Sequence, residues 1–300
     1  MSEEPNRPAA DPVRFSDYLE LTKPRLSLLS VLTAFVGYFA ARPAHDPLQV
    51  LFLGLGTCLA AGGVAALNQW LEVETDARML RTAQRPIPTG KIATGSAFVL
   101  GSLMCIVALM LIFANVGKLA ALFTLLTIAS YLGWYTPAKR SSRWSTEIGA
   151  IAGALPPLIG WSAAEGRVSG LGWILFGILF LWQIPHFMAI AWTHRRDYSA
   201  VHFPMLPVRD ESGARVARWS LLATLALVAV SLLPGILKYT SSGYTAAAAG
   251  CGLWFLWRAV GFLRSETRDR AARLLFFASL AYLPLLLGSL VADRLLITHP

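Results

Sequence analysis

The sequence predicts an all-α, polytopic membrane protein of nine transmembrane helices, with the N-terminus cytoplasmic and the C-terminus outside. Three observations carry that prediction. Of the 300 residues, 55% are hydrophobic and only 14% are charged, whereas a soluble domain carries about 25% charged residues. Apolar runs long enough to cross a hydrocarbon core of ~30 Å recur along the chain. The 26 Lys and Arg divide between alternate loops as 21 and 5, and the richer side belongs in the cytoplasm.

In chain order, residues 1–20 form a polar lead without the apolar core of a signal peptide. The lead is expected to be disordered until an interfacial helix around Phe15 to Leu21. Residues 21–295 read as one transmembrane domain. Its apolar runs fall at about 24–41, 48–70, 95–114, 118–136, 147–164, 170–193, 217–237, 242–262 and 274–292. The fifth is short and contains Pro156-Pro157, which predicts a break or kink. Pro185, Pro234 and Pro284 also lie inside runs, where neighbouring helices satisfy the freed carbonyls. The loops after the second and sixth runs are the longest. Asp76 precedes Pro86 and Pro88 in one, and Asp197 precedes Pro204 and Pro207 in the other. Two parallel four-helix pseudo-repeats plus one helix would give that pattern.

The net charge of +9 excludes little by itself. Its placement in short loops between apolar runs points to membrane topology and anion binding, and to no nucleic-acid partner. Cys58, Cys105 and Cys251 all lie inside apolar runs without metal-ligand spacing, so they read as packing residues.

Three stretches could carry chemistry. In the first, residues 67–91, Asn68, Glu72 and Asp76 recur every fourth residue and so share one helical stripe. Glu74 falls on the opposite side. Arg78, Arg81, Arg85 and Lys91 follow. Two carboxylates beside an amide oxygen suit Mg2+, which takes few protein ligands and completes its shell with phosphate oxygens and water. A solvated helix end is the competing reading. The second stretch holds Tyr135, Lys139, Arg140 and Arg143, as a further phosphate-binding arm or as ordinary cytoplasmic charge. The third, residues 182–207, holds Trp182, Gln183 and His186 mid-span and Asp197 at the cytoplasmic end. His186 fits either a packing role or contact with a porphyrin. Asp197 suits a second metal site or a pair with Arg195 or Arg196.

Together these strings resemble the intramembrane aromatic prenyltransferase superfamily of the UbiA type. They are Asn68-x-x-x-Glu72-Val73-Glu74-x-Asp76-x-x-Met79-x-Arg81-Thr82, Arg85-Pro86 and Tyr135-Thr136-x-x-Lys139-Arg140. Also matching are Gly153-Ala154-x-Pro156-Pro157, Trp182-Gln183-x-Pro185-His186-Phe187 and Asp197-Tyr198 with Pro204-Met205-Leu206-Pro207. The strings look most like the heme-directed branch. Ser145 and Ala200-Val201 depart from its usual wording.

The resemblance implies transfer of a farnesyl group from farnesyl diphosphate to a vinyl group of heme b, which is a substrate here. It implies one or two Mg2+ ions held by Asn68, Glu72, Asp76 and Asp197, and diphosphate contacts from Arg81, Arg85, Lys139 and Arg140. The catalytic set it implies is Asn68, Glu72, Asp76, Arg81 and Lys139, with His186 on the heme. The bilayer of a bacterial inner membrane, and contact with a downstream heme A synthase or oxidase assembly factors, complete its partners. A quinone-directed relative would share the acidic stripe. A transporter would tolerate its loss.

Overall fold

A computed structural model describes residues 13–41 and 46–297. Among these residues every regular element is helical. In order they are α1 (Phe15–Thr22), α2 (Pro24–Ala40), α3 (Pro47–Leu71), α4 (Val73–Arg78), α5 (Thr94–Asn115) and α6 (Lys118–Ala129). A π-helical turn, Ser130–Tyr135, leads into α7 (Thr136–Ser141), followed by α8 (Ser145–Ala154), α9 (Pro156–Glu165) and α10 (Gly170–Thr193). Then come α11 (Arg195–Ala200), α12 (Leu206–Arg209), α13 (Ala214–Ile236), α14 (Ser242–Phe262) and α15 (Arg268–Leu296). Among the described residues six stretches are long and apolar enough to cross a membrane: α3, α5, the α6–α7 stretch, α10, α13 and α15. The apolar α2 is shorter, at 17 residues. The first twelve residues of the polar lead lie outside the described residues. Its remainder becomes α1, whose Phe15 and Leu19 are exposed while Leu21 is buried. That one-sided pattern suits the interface position expected of it.

Two apolar cores join along α2. The larger gathers α10, α13, α14 and α15 with the end of α2. The smaller brings Ala34 and Tyr38 of α2 against Leu53, Ile112, Phe123, Leu158 and Ile159. Lipid tails give helices no hydrophobic reason to associate, so small residues and close backbone approach supply the contact. A Cβ at Gly63 would lie 2.8 Å from the Gly101 carbonyl, which fixes α3 on α5. One at Gly160 would lie 1.7 Å from the Ala34 carbonyl, and one at Gly37 2.0 Å from the Pro157 carbonyl. These two glycines press α2 directly on α9. The Pro156-Pro157 pair starts α9 after a break at Leu155, as expected of it. At the end of the bundle away from α4, the Gln49 amide donates to the Val116 and Ala163 carbonyls, and Tyr38 donates to Gln49.

Two long helices end alike. α3 stops at Glu72, with φ −104° and ψ 8°, and α10 stops at His194, with φ −103° and ψ 20°. Each break is followed by a six-residue helix carrying an acidic residue, Asp76 in α4 and Asp197 in α11. This shared geometry supports the pseudo-repeat read from the two loops.

Replacing Gly160 with Ala is expected to separate α2 from α9, because backbone rather than a flexible side chain occupies the space. Overpacking of this kind costs about 1–3 kcal/mol. Thermal unfolding of the detergent-solubilised protein would register it as a clear drop in midpoint, with a far smaller change for Gly95→Ala, where a Cβ would meet open space.

Candidate active site

The acidic stripe survives a helix break. The sequence predicts one continuous helix through Asn68, Glu72 and Asp76; instead α3 ends at Leu71 and the chain restarts in α4. The turn is still bridged by hydrogen bonds from Glu72 N to the Asn68 carbonyl (3.0 Å) and from Asp76 N to the Glu72 carbonyl (2.8 Å). All three side chains therefore stay together and buried, with Asp76 fully so. Glu74 is exposed on the far side, as the helical spacing requires.

Each buried carboxylate has its own cation. Lys139 Nζ lies 2.8 Å from Glu72 Oε1, and Arg85 Nη1 lies 2.5 Å from Asp76 Oδ2. Unpaired, either charge would be costly to bury; removing one partner of such a pair costs about 3–5 kcal/mol. Two local features deliver these cations. The loop after α4 folds back through Met79, Ile87 and Ile92, all buried, and through a Thr82 hydroxyl that donates to the Asp76 carbonyl at 2.9 Å. That places Arg85. The π-helical turn rotates the end of the fourth apolar run and sets Lys139 over the Tyr135 ring, 4.5 Å from its centroid. Such turns are frequent at functional sites because they re-aim side chains. Gly149 makes room for that ring, since a Cβ there would sit 2.6 Å from it.

The donors that remain fit a hard cation. Asn68 Nδ2 donates to the Thr136 hydroxyl at 3.2 Å, which turns the amide oxygen away from that bond. Asp76 Oδ1 is buried and has no hydrogen-bond partner. A buried carboxylate oxygen without a partner, on one stripe with an amide and a second carboxylate, supplies the kind of oxygen donor Mg2+ favours. Burial raises the Asp76 carboxyl above its usual range, with the Arg85 guanidinium opposing the rise.

The other sequence-predicted residues separate. Arg81 reaches from the α4 loop to the Tyr198 hydroxyl at 3.3 Å, joining the loops that follow α3 and α10. Arg140 does not face the carboxylates; its guanidinium donates to the Leu71 carbonyl at 2.8 Å and caps the end of α3. Asp197 lies 3.7 Å from His194 Nδ1 rather than beside Arg195, which pairs with Asp269 at 3.4 Å. Among the described residues, no three His, Cys, Asp or Glu side chains gather where one metal ion could be held. His186 is 8% exposed and lies between α10 and α15. Its Nδ1 is 2.7 Å from Ser279 Oγ, and its ring stacks on Trp182 at 4.6 Å.

One cation escaped the sequence reading. Lys23 joins α1 to α2 in a left-handed conformation, φ 47°, which a non-glycine residue adopts rarely. Its charge is felt by both carboxylates and by Arg85 and Lys139. Burial, reinforced by those two cations, brings its ammonium down to about 7. Only the Lys-Pro opening of the first apolar run hinted at it. From Lys23 and Tyr131 a mostly apolar cavity runs between α2, α3, α6 and α9.

Comparison with known proteins agrees with this architecture. Residues 30–281 match the UbiA prenyltransferase family. A protoheme IX farnesyltransferase of Opitutus terrae is 72% identical over 95% of this chain and 97% of its own. One from Solibacter usitatus is 42% identical over 93% and 98%. Among solved structures, one reported for digeranylgeranylglyceryl phosphate synthase superposes with a TM-score of 0.80 at 18% identity, over 94% of this chain and 99% of that one. A UbiA homologue from Archaeoglobus fulgidus, bound to GPP and Mg2+, superposes with a TM-score of 0.67 at 13% identity, over 89% and 99%.

The Lys23 ammonium has a measurable consequence. Its lowered value leaves the amine partly neutral above about pH 7, and a bound diphosphate restores the proton. Diphosphate affinity should therefore fall as pH rises past about 7, and binding should take up protons. Titration calorimetry in buffers of different ionisation enthalpy measures that uptake, and Lys23→Met should abolish most of it.

Proposed function

The chain belongs to the UbiA prenyltransferase family, and we propose that it transfers a farnesyl group from farnesyl diphosphate to a vinyl group of protoheme IX, giving heme O. The observation that carries this reading is the pair of buried, individually neutralised carboxylates, within electrostatic reach of Lys23, which lines a mostly apolar cavity. Relatives of near-equal length that bear the name protoheme IX farnesyltransferase supply the acceptor.

The chemistry follows from the charges. The allylic C–O bond breaks first, leaving a resonance-stabilised farnesyl cation and a departing diphosphate whose charge must be met. Asn68, Glu72 and Asp76 would hold Mg2+, with Asp197 reaching any second ion. When bound, the metal supplies Lewis-acid stabilisation of the leaving oxygens. Lys139 and Arg85 are already fixed beside the carboxylates and would exchange those partners for phosphate oxygens without a large move. Lys23 adds a third charge from the α2 side, and Arg81 a fourth from the rim. Arg140 takes a supporting role, holding the end of α3. The vinyl carbon of heme then attacks the allylic carbon. Water adds to the resulting cation beside the porphyrin and loses a proton, so farnesyl diphosphate, heme and water become heme O and diphosphate. The apolar walls keep water from the farnesyl cation until the carbon–carbon bond forms.

The His186 hydrogen bonds bear on heme placement. Ser279 Oγ also lies 2.6 Å from the Phe276 carbonyl. With its hydroxyl donated there, it would accept from His186 Nδ1 and leave the Nε2 lone pair for a heme iron. We extend the same reading to topology. Adding α2, α14 and the α8–α9 pair to the six long stretches gives nine crossings of a bacterial inner membrane. The Lys and Arg asymmetry then puts the carboxylates at the cytoplasmic face.

Membranes containing this chain, supplied with heme b and farnesyl diphosphate, should yield a more hydrophobic, hydroxyfarnesylated heme on pigment analysis. Prenylation of an aromatic acceptor in place of heme would point to a quinone-directed enzyme. In the same assay Asp76→Ala should lower turnover about 10²–10³-fold, the size expected when a fixed transition-state charge is lost. His186→Ala should raise the KM for heme and leave that for farnesyl diphosphate near its original value.

A further inference from the structure

The hairpin of α14 and α15 carries charge that the proposed reaction does not use. Near the turn that joins the two helices, a groove opens between them. Trp257, Arg258 and Val260 stand on its α14 wall, and Arg264 follows from the turn. Leu274 stands on the α15 wall. Small residues keep the space open: a Cβ on Gly261 would meet nothing within 4 Å, and Ala271 on the other wall offers only a methyl group. The turn lies at the same end of the bundle as the acidic stripe. Asp269, at the start of α15, accepts from Trp192 Nε1 at the end of α10 (2.7 Å). Arg81 on Tyr198 in turn joins α11, just beyond α10, to the loop after α4.

The charge in this groove has no answer within the protein. Among the described residues neither Arg258 nor Arg264 forms an ion pair with a carboxylate. The two acids of the turn look elsewhere. Asp269 pairs with Arg195 at 3.4 Å, and Glu266 lines an adjoining depression together with Trp192 and Ser212. The Arg258 guanidinium lies over the Trp257 ring, 4.2 Å from its centroid. Stacking of this kind holds the planar group by its face and leaves its N–H edge free to grip a phosphate.

Away from the turn the walls become apolar. Trp257, Val260 and Leu274 are exposed, and so are Leu253 and Phe277, one turn deeper on α14 and on α15. Two cations at the rim above an exposed aromatic and aliphatic face match the two halves of a phospholipid.

We propose that this groove is a specific site for one anionic phospholipid of the leaflet that borders the acidic stripe. Its phosphodiester accepts from Arg258 and Arg264, and an acyl chain lies along Trp257, Leu274 and Phe277. Basic pockets between helices at the membrane rim recognise such headgroups. A zwitterionic lipid brings its own ammonium toward the two arginines, and a free phosphate ester leaves the apolar wall uncovered. Charge and depth together therefore select the anionic lipid.

The full-length protein in detergent is titrated with phosphatidylglycerol, with phosphatidylcholine of the same acyl chains and with soluble glycerol 3-phosphate, and bound molecules are counted by native mass spectrometry. Phosphatidylglycerol should bind about tenfold more tightly than phosphatidylcholine, the size of one hydrogen bond to a charged group. Glycerol 3-phosphate should not displace it. Arg258→Gln combined with Arg264→Gln should remove the preference. Gly261→Leu keeps both charges but fills the groove, and should weaken phosphatidylglycerol binding about as much. Arg218→Gln removes an exposed charge at the start of α13, outside the groove, and should leave binding unchanged. Equal affinity for the two lipids would overturn the proposal, as would an equal loss in Arg218→Gln or full binding by Gly261→Leu. Displacement by glycerol 3-phosphate would make the groove a free-phosphate site instead. A lipid-independent dimer abolished by Gly261→Leu would make it a contact between two copies, and would equally overturn the lipid assignment.

Discussion

The structure depends on two buried ion pairs. Glu72 with Lys139, and Asp76 with Arg85, bring together the end of α3, the loop beyond α4 and the segment after the π-helical turn. Charged groups at the rim of a bilayer are costly, and they persist where they meet each other or a ligand. Here each charge is answered by its own partner within the protein. In the proposed reaction the same cations would pass to the diphosphate. One carboxylate oxygen, Asp76 Oδ1, is left over, and that surplus suits a metal ion arriving with its anion.

Below this charged layer the protein is built from close helix contacts and small side chains. Glycines at 37, 63 and 160 allow backbones to touch. Alanines on α3 keep a space open where helices would otherwise fill it. The contact and the void have one cause. α2 is drawn onto α9 at Gly160, and above that contact a mostly apolar cavity lies between α2, α3, α6 and α9. A shift of α2 would alter the placement of Lys23 and the shape of the cavity together.

The second half of the bundle repeats the break without repeating its chemistry. His194 occupies the place in α10 that Glu72 occupies in α3, with nearly the same backbone angles. A histidine and a half-buried carboxylate stand there in place of two buried acids. Arg81 on Tyr198 joins the loops of the two halves. The burial of His186 against Ser279 belongs to the core between α10 and α15.

Hydropathy and the alternation of Lys and Arg determined the helical membrane class. They also located most elements: the run read as 170–193 is α10 to the residue, and that read as 242–262 is α14. The four-residue spacing of Asn68, Glu72 and Asp76 determined the acidic half of the site, and the exposure of Glu74. These features are local, set by a period along one helix and by the cost of placing charge in hydrocarbon. Tertiary structure decided what period cannot express. Which cation answers which carboxylate depended on a loop folding back and on one π-helical turn, so Arg140 became a cap and Lys139 a partner. Lys23 entered through a left-handed residue that no propensity favours. The seam of α2 on α9 was set by a backbone contact between Ala34 and Gly160, residues far apart in sequence, because only packing determines where two helices meet.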